Sequence, residues 1–152
     1  MFGGETVTIS FHGVKRKLFL AVAAAVLVAA IFFLISAAGA ERGIPGAQNS
    51  DRINFLTKCG WQVEQEPLSV RDVAIPATFS KVYQNYNKLN EQAGFDLKKV
   101  AGKTCKQYVY RVKNYTGKEE VHATLLIYKG KIVGGDISTA ALDGFMKPIC
   151  RR

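Results

Sequence analysis

The sequence predicts an α+β domain that follows a single N-terminal transmembrane helix. Leu18–Ala38 is a run of 21 residues without a charged side chain. After it, residues 49–93 combine helical apolar spacing with a short strand-like run, and residues 104–138 hold three strand-like runs between turns. The expected product is an antiparallel sheet with helices packed on one face. A length of 152 residues leaves room for one such domain, which excludes a multidomain enzyme, a coiled coil and a disordered chain.

The apolar run has the length of a membrane span. A helix of this length rises about 30 Å, the thickness of the hydrocarbon core of a bilayer. We therefore expect it to lie in the lipid from Leu18, through Phe32 and Phe33, to Ala38. A buried core helix is the competing interpretation. It is disfavoured because residues 41–152 are too few to surround a helix that is apolar on every side.

The residues beside this run predict its orientation. Lys15–Lys17 stand directly before it, so the positive-inside rule places the tail 1–17 in the cytoplasm. Residues 39–49 then form a tether, and residues 50–152 form a domain outside the cell membrane. Ala38–Ala40 also fits a signal-peptide cleavage site, and cleavage at Ala40 would release a secreted binding protein. The run exceeds the 7–15 apolar residues of signal peptides, which favours an uncleaved anchor.

The chain is basic, with a formal net charge of +9. Most of this charge lies in the outer domain, since residues 1–17 hold only Lys15–Lys17 and Glu5. The expected partners are the lipid bilayer and, beyond it, anionic lipid, a cell-wall polymer or another envelope protein, and not nucleic acid. Runs of basic residues in the outer domain do not exceed two, which favours the simpler view that the lysines form a solvated surface.

Three cysteines lie in the outer domain, at Cys59, Cys105 and Cys150. One disulfide with one free thiol and three buried thiols are equally consistent with the sequence. The chain has no CxxC motif, and the wide spacings do not suggest zinc ligands. A nucleophilic cysteine would need a base, for which His122 is the one histidine of the outer domain. The sequence therefore predicts neither a metal nor a cofactor.

Local signals predict the first half of the outer domain. Ser50 or Asn49 is expected to cap a helix that runs to about Cys59, where Gly60 terminates it. Short strands follow over residues 61–63 and 70–75. The clearest helix covers residues 78–93, with an apolar face that includes Phe79, Val82, Tyr83, Tyr86 and Leu89. We interpret this aromatic stripe as core.

The second half predicts a β-meander and a terminal helix. Strands cover residues 104–114, 119–128 and 132–138, with a tight hairpin turn at residues 129–131. Gly134-Gly135 is expected to mark a β-bulge or a bent strand end. Residues 140–146 are expected to form a short helix.

Several motifs, in this order, resemble the DUF4830 family, a bacterial domain-of-unknown-function family found mostly in Gram-positive, clostridial-type organisms. They include Arg52-Ile53-Asn54-Phe55-Leu56, Gly60-Trp61-Gln62-Val63, Gly94-Phe95-Asp96-Leu97, Val112-Lys113-Asn114-Tyr115, Gly134-Gly135-Asp136 and Leu142-Asp143-Gly144-Phe145-Met146. The resemblance implies one N-terminal membrane segment followed by this domain. It implies no activity.

The sequence offers a candidate partner surface near its C-terminus, which consists of Asp136, Asp143, Gly144, Phe145 and Met146. Large apolar residues that follow an acidic turn are typical of a docking edge. A terminal segment that covers the end of the sheet is the simpler interpretation. The small size and the absence of a catalytic motif predict a non-enzymatic binding or accessory module of the cell envelope.

A small envelope enzyme is the alternative. Its cleft would bring together Asp136, Asp143 and His122, because paired carboxylates and a histidine are suited to acid–base chemistry. Nothing in the sequence places these three residues side by side. A structure therefore has to show whether they share one face.

Overall fold

The computed structural model describes residues 25–29, 43–117, 119–141 and 144–150. It divides the chain into two units, Met1–Arg42 and Gly43–Arg152. In the first unit, residues 25–29 are helical. The rest of the predicted membrane segment, with Leu18, Phe32, Phe33 and Ala38, and the tail 1–17 lie outside the described residues. Among the residues that are described, none belongs to a helix long and apolar enough to span a membrane.

An antiparallel sheet forms the second unit, which confirms the predicted α+β class. Its described strands run in the spatial order β1-β5-β4-β3-β2, and β6 pairs with a later part of β5. The strands are β1 (Ile44–Pro45), β2 (Ser69–Ala74), β3 (Thr104–Arg111), β4 (Val121–Tyr128), β5 (Lys131–Thr139) and β6 (Met146–Pro148). The helices are α1 (Asn49–Lys58) and α2 (Lys81–Gln92), and Leu97–Val100 forms a 3-10 turn.

The two helices cover opposite faces of the sheet, so the prediction of helices on one face is wrong. Leu56 of α1 packs in a cluster with Tyr110 and Leu125, which point to the first face. The segments around α2 pack against Cys105 and Leu126, which point to the second face because neighbouring strand residues alternate. The physical reason is visible in β4, where residues 123–127 are all buried. A central strand buried on both sides needs cover on both sides.

The C-terminal segment is attached to the end of α1. A disulfide joins Cys59, directly after α1, to Cys150, with their Cα atoms 4.9 Å apart. Beside it, Trp61 Nε1 donates a hydrogen bond to the Ile149 carbonyl oxygen at 2.7 Å, and Ile149 is fully buried. Of the alternatives that the cysteine count left open, the structure therefore contains one disulfide and a buried free thiol at Cys105.

A gap in the pairing of β5 is filled by a side chain of α2. The strand pairs with β1 at its start and with β6 near its end. Between them, the Gly135 amide donates to Asn90 Oδ1 at 2.8 Å. A Cβ atom at Gly134 would lie 2.7 Å from Asn90 Oδ1 and 2.7 Å from Leu97 Cδ2, so glycine permits this close approach. The strand register shifts beside Gly134, which confirms the predicted bulge.

Two predicted elements differ from the structure. The helix expected over residues 78–93 begins only at Lys81, because the Ser80 hydroxyl accepts the Tyr83 amide and caps the first turn. The terminal helix expected over residues 140–146 is wrong. None of the described residues in this range is helical, and Met146 begins β6 instead. The open edge of β5 offers backbone partners that a helix would leave unpaired.

Candidate functional site

A row of four side chains crosses the second face of the sheet beyond α2. Register places the members directly opposite one another on β3, β4, β5 and β6. We call this row the outer row, and it consists of Arg111, His122, Ser138 and Met146. Its first three members are half-buried and Met146 is 52% exposed. It combines polar side chains with access to solvent.

Two glutamates hold Arg111 and His122 of the outer row in place. His122 Nε2 is hydrogen-bonded to Glu120 Oε1 at 2.8 Å, and Arg111 Nε donates to the same oxygen at 3.1 Å. Arg111 Nη1 also donates to Glu64 Oε1 at 3.3 Å. The bonds from His122 and Arg111 hold the pKa of Glu120 below its usual range. The cluster therefore keeps a carboxylate ionised beside a histidine.

The next row inward contains a buried carboxyl group. Asp136 is 3% exposed, and its Oδ2 accepts a hydrogen bond from the Tyr86 hydroxyl at 2.9 Å. Its Oδ1 has no hydrogen-bond partner among the described residues. Burial raises the pKa of Asp136, and burial together with the nearby carboxylate raises the pKa of Tyr86. Asp136 therefore holds its proton to a higher pH than an exposed aspartate does.

The structure brings together two of the three residues of the enzyme alternative. Asp136 pairs with Thr124, and His122 pairs with Ser138, so Asp136 and His122 are diagonal neighbours on one face. Asp143 lies outside the described residues. Among the described residues, no three or more His, Cys, Asp and Glu side chains are placed to hold a metal ion.

The predicted partner surface is divided by the fold. Asp136 is buried, whereas Met146 is exposed at the end of the outer row. The ring of Phe145 packs against Tyr115, with centroids 5.5 Å apart, and Lys147 Nζ lies 4.1 Å from its centroid. Gly144 donates its amide to the Ala141 carbonyl in the turn before β6. Phe145 thus helps to attach the C-terminal segment, and Met146 is the large apolar side chain of this set that faces solvent.

Sequence reasoning missed the polar face of α2. Val82, expected in the core, is 79% exposed, whereas Asn87 and Asn90 are almost fully buried. Asn87 Oδ1 accepts the Leu97 amide at 2.7 Å, and Asn90 reaches the edge of β5. The available signal was that Tyr86 and Asn90 are four residues apart and so share one helix face. Hydropathy alone assigns asparagine to solvent.

A family model supplies the context for this geometry. The model of a domain of unknown function, DUF4830, matches residues 55–137, more than half of the chain. The chain belongs to the DUF4830 family. The part of the DUF4830 domain that matches runs from α1 to β5 and includes Arg111, His122 and Asp136. Searches of curated proteins and of solved structures found no match.

The buried carboxyl group of the DUF4830 domain predicts a pH-dependent stability. Because the pKa of Asp136 is raised in the folded state, its ionisation favours unfolding as the pH rises from the unfolded value, about 3.9, through the folded value. Asp136→Asn removes this ionisation. We expect the free energy of unfolding of D136N relative to wild type to increase from pH 3 to pH 7, measured by urea unfolding at each pH.

An exposed carboxylate provides the control for this prediction. Asp72→Asn, on the edge strand β2, subtracts the same charge from a solvated position and should change the free energy of unfolding by less than about 0.5 kcal/mol across the range. A difference between D136N and wild type that stays constant from pH 3 to pH 7 would contradict the prediction.

Proposed function

We propose that this chain is a membrane-anchored DUF4830 protein whose domain lies outside the cytoplasm and serves as a non-enzymatic binding or accessory module of the cell envelope. The Cys59–Cys150 disulfide is the observation that carries this proposal. Disulfides persist in oxidising compartments and are rare in the cytosol, where thiols are kept reduced. The bond joins the end of α1 to the C-terminal segment, so it belongs to the folded domain.

The anchor is supported by the apolar run Leu18–Ala38. The run is long enough to cross a bilayer, and Lys15–Lys17 in front of it favour a cytoplasmic N-terminus. Within the run, the helical residues Val26, Leu27 and Val28 are each 63–65% exposed. Exposed apolar surface on a helix is unfavourable in water and favourable in lipid.

A binding role is supported by the state of the polar groups on the second face. Glu120 is already shared by Arg111 and His122, and Asp136 is buried under Tyr86. The polar groups of these side chains are occupied by hydrogen bonds to one another. Such an arrangement fixes the shape of a surface. Met146 extends the outer row with an exposed apolar side chain, which suits contact with an envelope protein.

A small envelope enzyme is the second candidate, and one observation favours it. His122 and Asp136 point to the same face of neighbouring strands, as the enzyme alternative requires. Acid–base catalysis also requires that substrate reach the carboxyl group. At 3% exposure, Asp136 would first have to be uncovered by movement of Tyr86, and for that reason we favour the binding role.

Thiol counting in isolated membranes tests the compartment. We expect one thiol, Cys105, to react with a mass-tagged maleimide when the full chain is denatured without reduction, and three thiols to react after reduction. In the same sample, full-length chain that stays in the pellet after alkaline carbonate extraction would support the uncleaved anchor.

A matched variant makes the thiol count specific. Cys105→Ala should give no labelled thiol before reduction and two afterwards. Three reactive thiols in freshly denatured, unreduced wild type would place the domain in a reducing compartment and refute the proposal. If the protein recovered from cells begins after Ala40 and is found outside the membrane fraction, it is a secreted protein and not an anchored one.

A further inference from the structure

Four lysines gather at one end of the sheet. Register places the end of β2 beside the start of β3, and the end of β4 beside the start of β5. We call this part of the domain the basic end, and it consists of Lys103, Lys106, Lys129 and Lys131. The first three are exposed and Lys131 is half-buried. Asp72 is the carboxylate that compensates part of this charge, with its Oδ1 3.9 Å from Lys106 Nζ.

The opposite end of the sheet has a different charge balance. There the segment before β2 contributes Glu64, and the residue directly before β4 is Glu120. Both form ion pairs with Arg111. Glu66 and Glu119 add two more exposed carboxylates in the same segments. The lysines of the basic end are therefore not part of a uniform solvated coat. Arg111, Lys113 and Lys147 lie toward the opposite end as well, but there the four glutamates offset their charge. The described part of the sheet is therefore more positive at its basic end.

The basic end also carries aromatic side chains suited to an interface. A groove of about 370 Å³ lies between Lys106 and Lys129 and is lined by Tyr108 and Tyr128. Lys129 Nζ lies 5.6 Å from the centroid of the Tyr128 ring, and the Arg52 guanidinium stacks over Tyr108 at 3.7 Å. Tyrosine and lysine are among the side chains suited to membrane interfaces, because each combines an apolar stem or ring with a polar tip.

The described domain starts at this same end. β1 pairs with the first residues of β5, and Gly46 donates its amide to the Gly130 carbonyl at 3.0 Å. A Cβ atom placed on Gly43 would lie 3.3–3.5 Å from side-chain atoms of Lys131, so Gly43 lies beside this lysine. Four residues separate Ala38 from Gly43, and the five steps from one Cα atom to the next span at most about 18 Å.

We propose that the basic end binds the anionic headgroups of the bilayer that anchors the chain. The inference rests on the proposed membrane anchor and adds the surface of the domain that meets the lipid. The connection is short enough to let the lysines come within a Debye length, about 10 Å, of the leaflet, where an anionic surface attracts them. Tyr108 and Tyr128 would then lie at headgroup level.

The test releases the domain from its anchor while it is next to the lipid. Full chain with a protease site inserted after Arg42 is reconstituted in vesicles of phosphatidylcholine, with or without phosphatidylglycerol as about a third of the lipid. After cleavage and sedimentation at low salt, the released domain should stay with the anionic vesicles and leave the neutral ones. High salt should release it from the anionic vesicles as well.

Two triple variants of equal charge separate a specific surface from net charge. Lys103→Gln, Lys106→Gln and Lys129→Gln together should lower the partition onto anionic vesicles by about a hundredfold, roughly fivefold for each lysine. The control triple replaces Lys58, Lys113 and Lys147 by glutamine. These lysines are exposed elsewhere on the domain, so the control should lower the partition onto anionic vesicles by less than about tenfold.

Equal losses in the two triples would overturn the proposal, because net charge alone would then explain the binding. Release of the wild-type domain from anionic vesicles at low salt would overturn it as well. The proposed membrane anchor is tested separately with the uncut chain. If alkaline carbonate extracts the uncut chain from the vesicles, the anchor fails.

Discussion

Replacing Cys59 and Cys150 by alanine is expected to lower the free energy of unfolding by about 4 kcal/mol. The disulfide closes a sequence separation of 91 residues, and a cross-link over so long a loop strongly restricts the unfolded chain. The effect is large relative to the 5–15 kcal/mol typical of a domain. Urea unfolding of the full chain, followed by the fluorescence of the single tryptophan Trp61, measures it.

Trp61 is well placed to report on this change because it hydrogen-bonds to Ile149, next to Cys150. Adding a reductant should shift the wild-type midpoint to lower urea and leave the midpoint of C59A/C150A unchanged. If the double variant unfolds at the same urea concentration as oxidised wild type, the bond contributes nothing to stability and the prediction fails.

Arg52→Ala is expected to cost about 3 kcal/mol of folding free energy. Arg52 is 5% exposed, and its guanidinium donates to the Tyr110 hydroxyl at 2.7 Å and to the carbonyl oxygens of Gly46 and Ala47. Removing it leaves the carbonyl of buried Gly46 without this donor and takes one of two hydrogen bonds from the buried Tyr110 hydroxyl, and it also removes the stack over Tyr108. Among the described residues, no carboxylate lies within ion-pair distance of Arg52, so its charge is held by neutral groups.

Two variants identify the cause of this loss. Arg52→Lys keeps the charge but not the planar fork, and should recover roughly half of the lost stability. Arg71→Ala removes an exposed arginine that bonds to Gln107 on the edge of the sheet, and should change stability by less than about 0.5 kcal/mol. Equal losses for R52A and R71A in urea unfolding would contradict the role assigned to Arg52.

Elements with strong local signals were predictable from the sequence. Lys129 and Gly130 both have positive φ, at 47° and 73°, and form the tight turn expected between two apolar runs. The helix expected to follow a cap at Ser50 or Asn49 is α1, Asn49–Lys58, whose N-cap is Gln48. Strand alternation in β4 places His122 and Thr124 on one face. The same strand also held the signal that was misread, because a continuous apolar stretch such as residues 123–127 is typical of a strand covered on both sides.

The candidate site was less predictable because the residues that contact one another in it come from distant parts of the chain. The resemblance to the DUF4830 family is confirmed, but it carries no chemistry. Asp136 and His122 could be named from the sequence, whereas Tyr86 could not be assigned to Asp136, since 50 residues separate them. Asn90 was missed because its burial depends on a gap between β1 and β6 that exists only in the assembled sheet.

The sequence by itself determined the antiparallel α+β class, the hairpin turn and the presence of α1, because these depend on contacts within a few residues of each other. It also determined the net charge and the expectation of a membrane anchor. Only the tertiary structure decided that the helices lie on opposite faces, that Cys59 pairs with Cys150, and that lysines from three strand ends form the basic end. Each of these depends on which distant segments become neighbours, and long-range pairing of strands is a property that local periodicity does not encode.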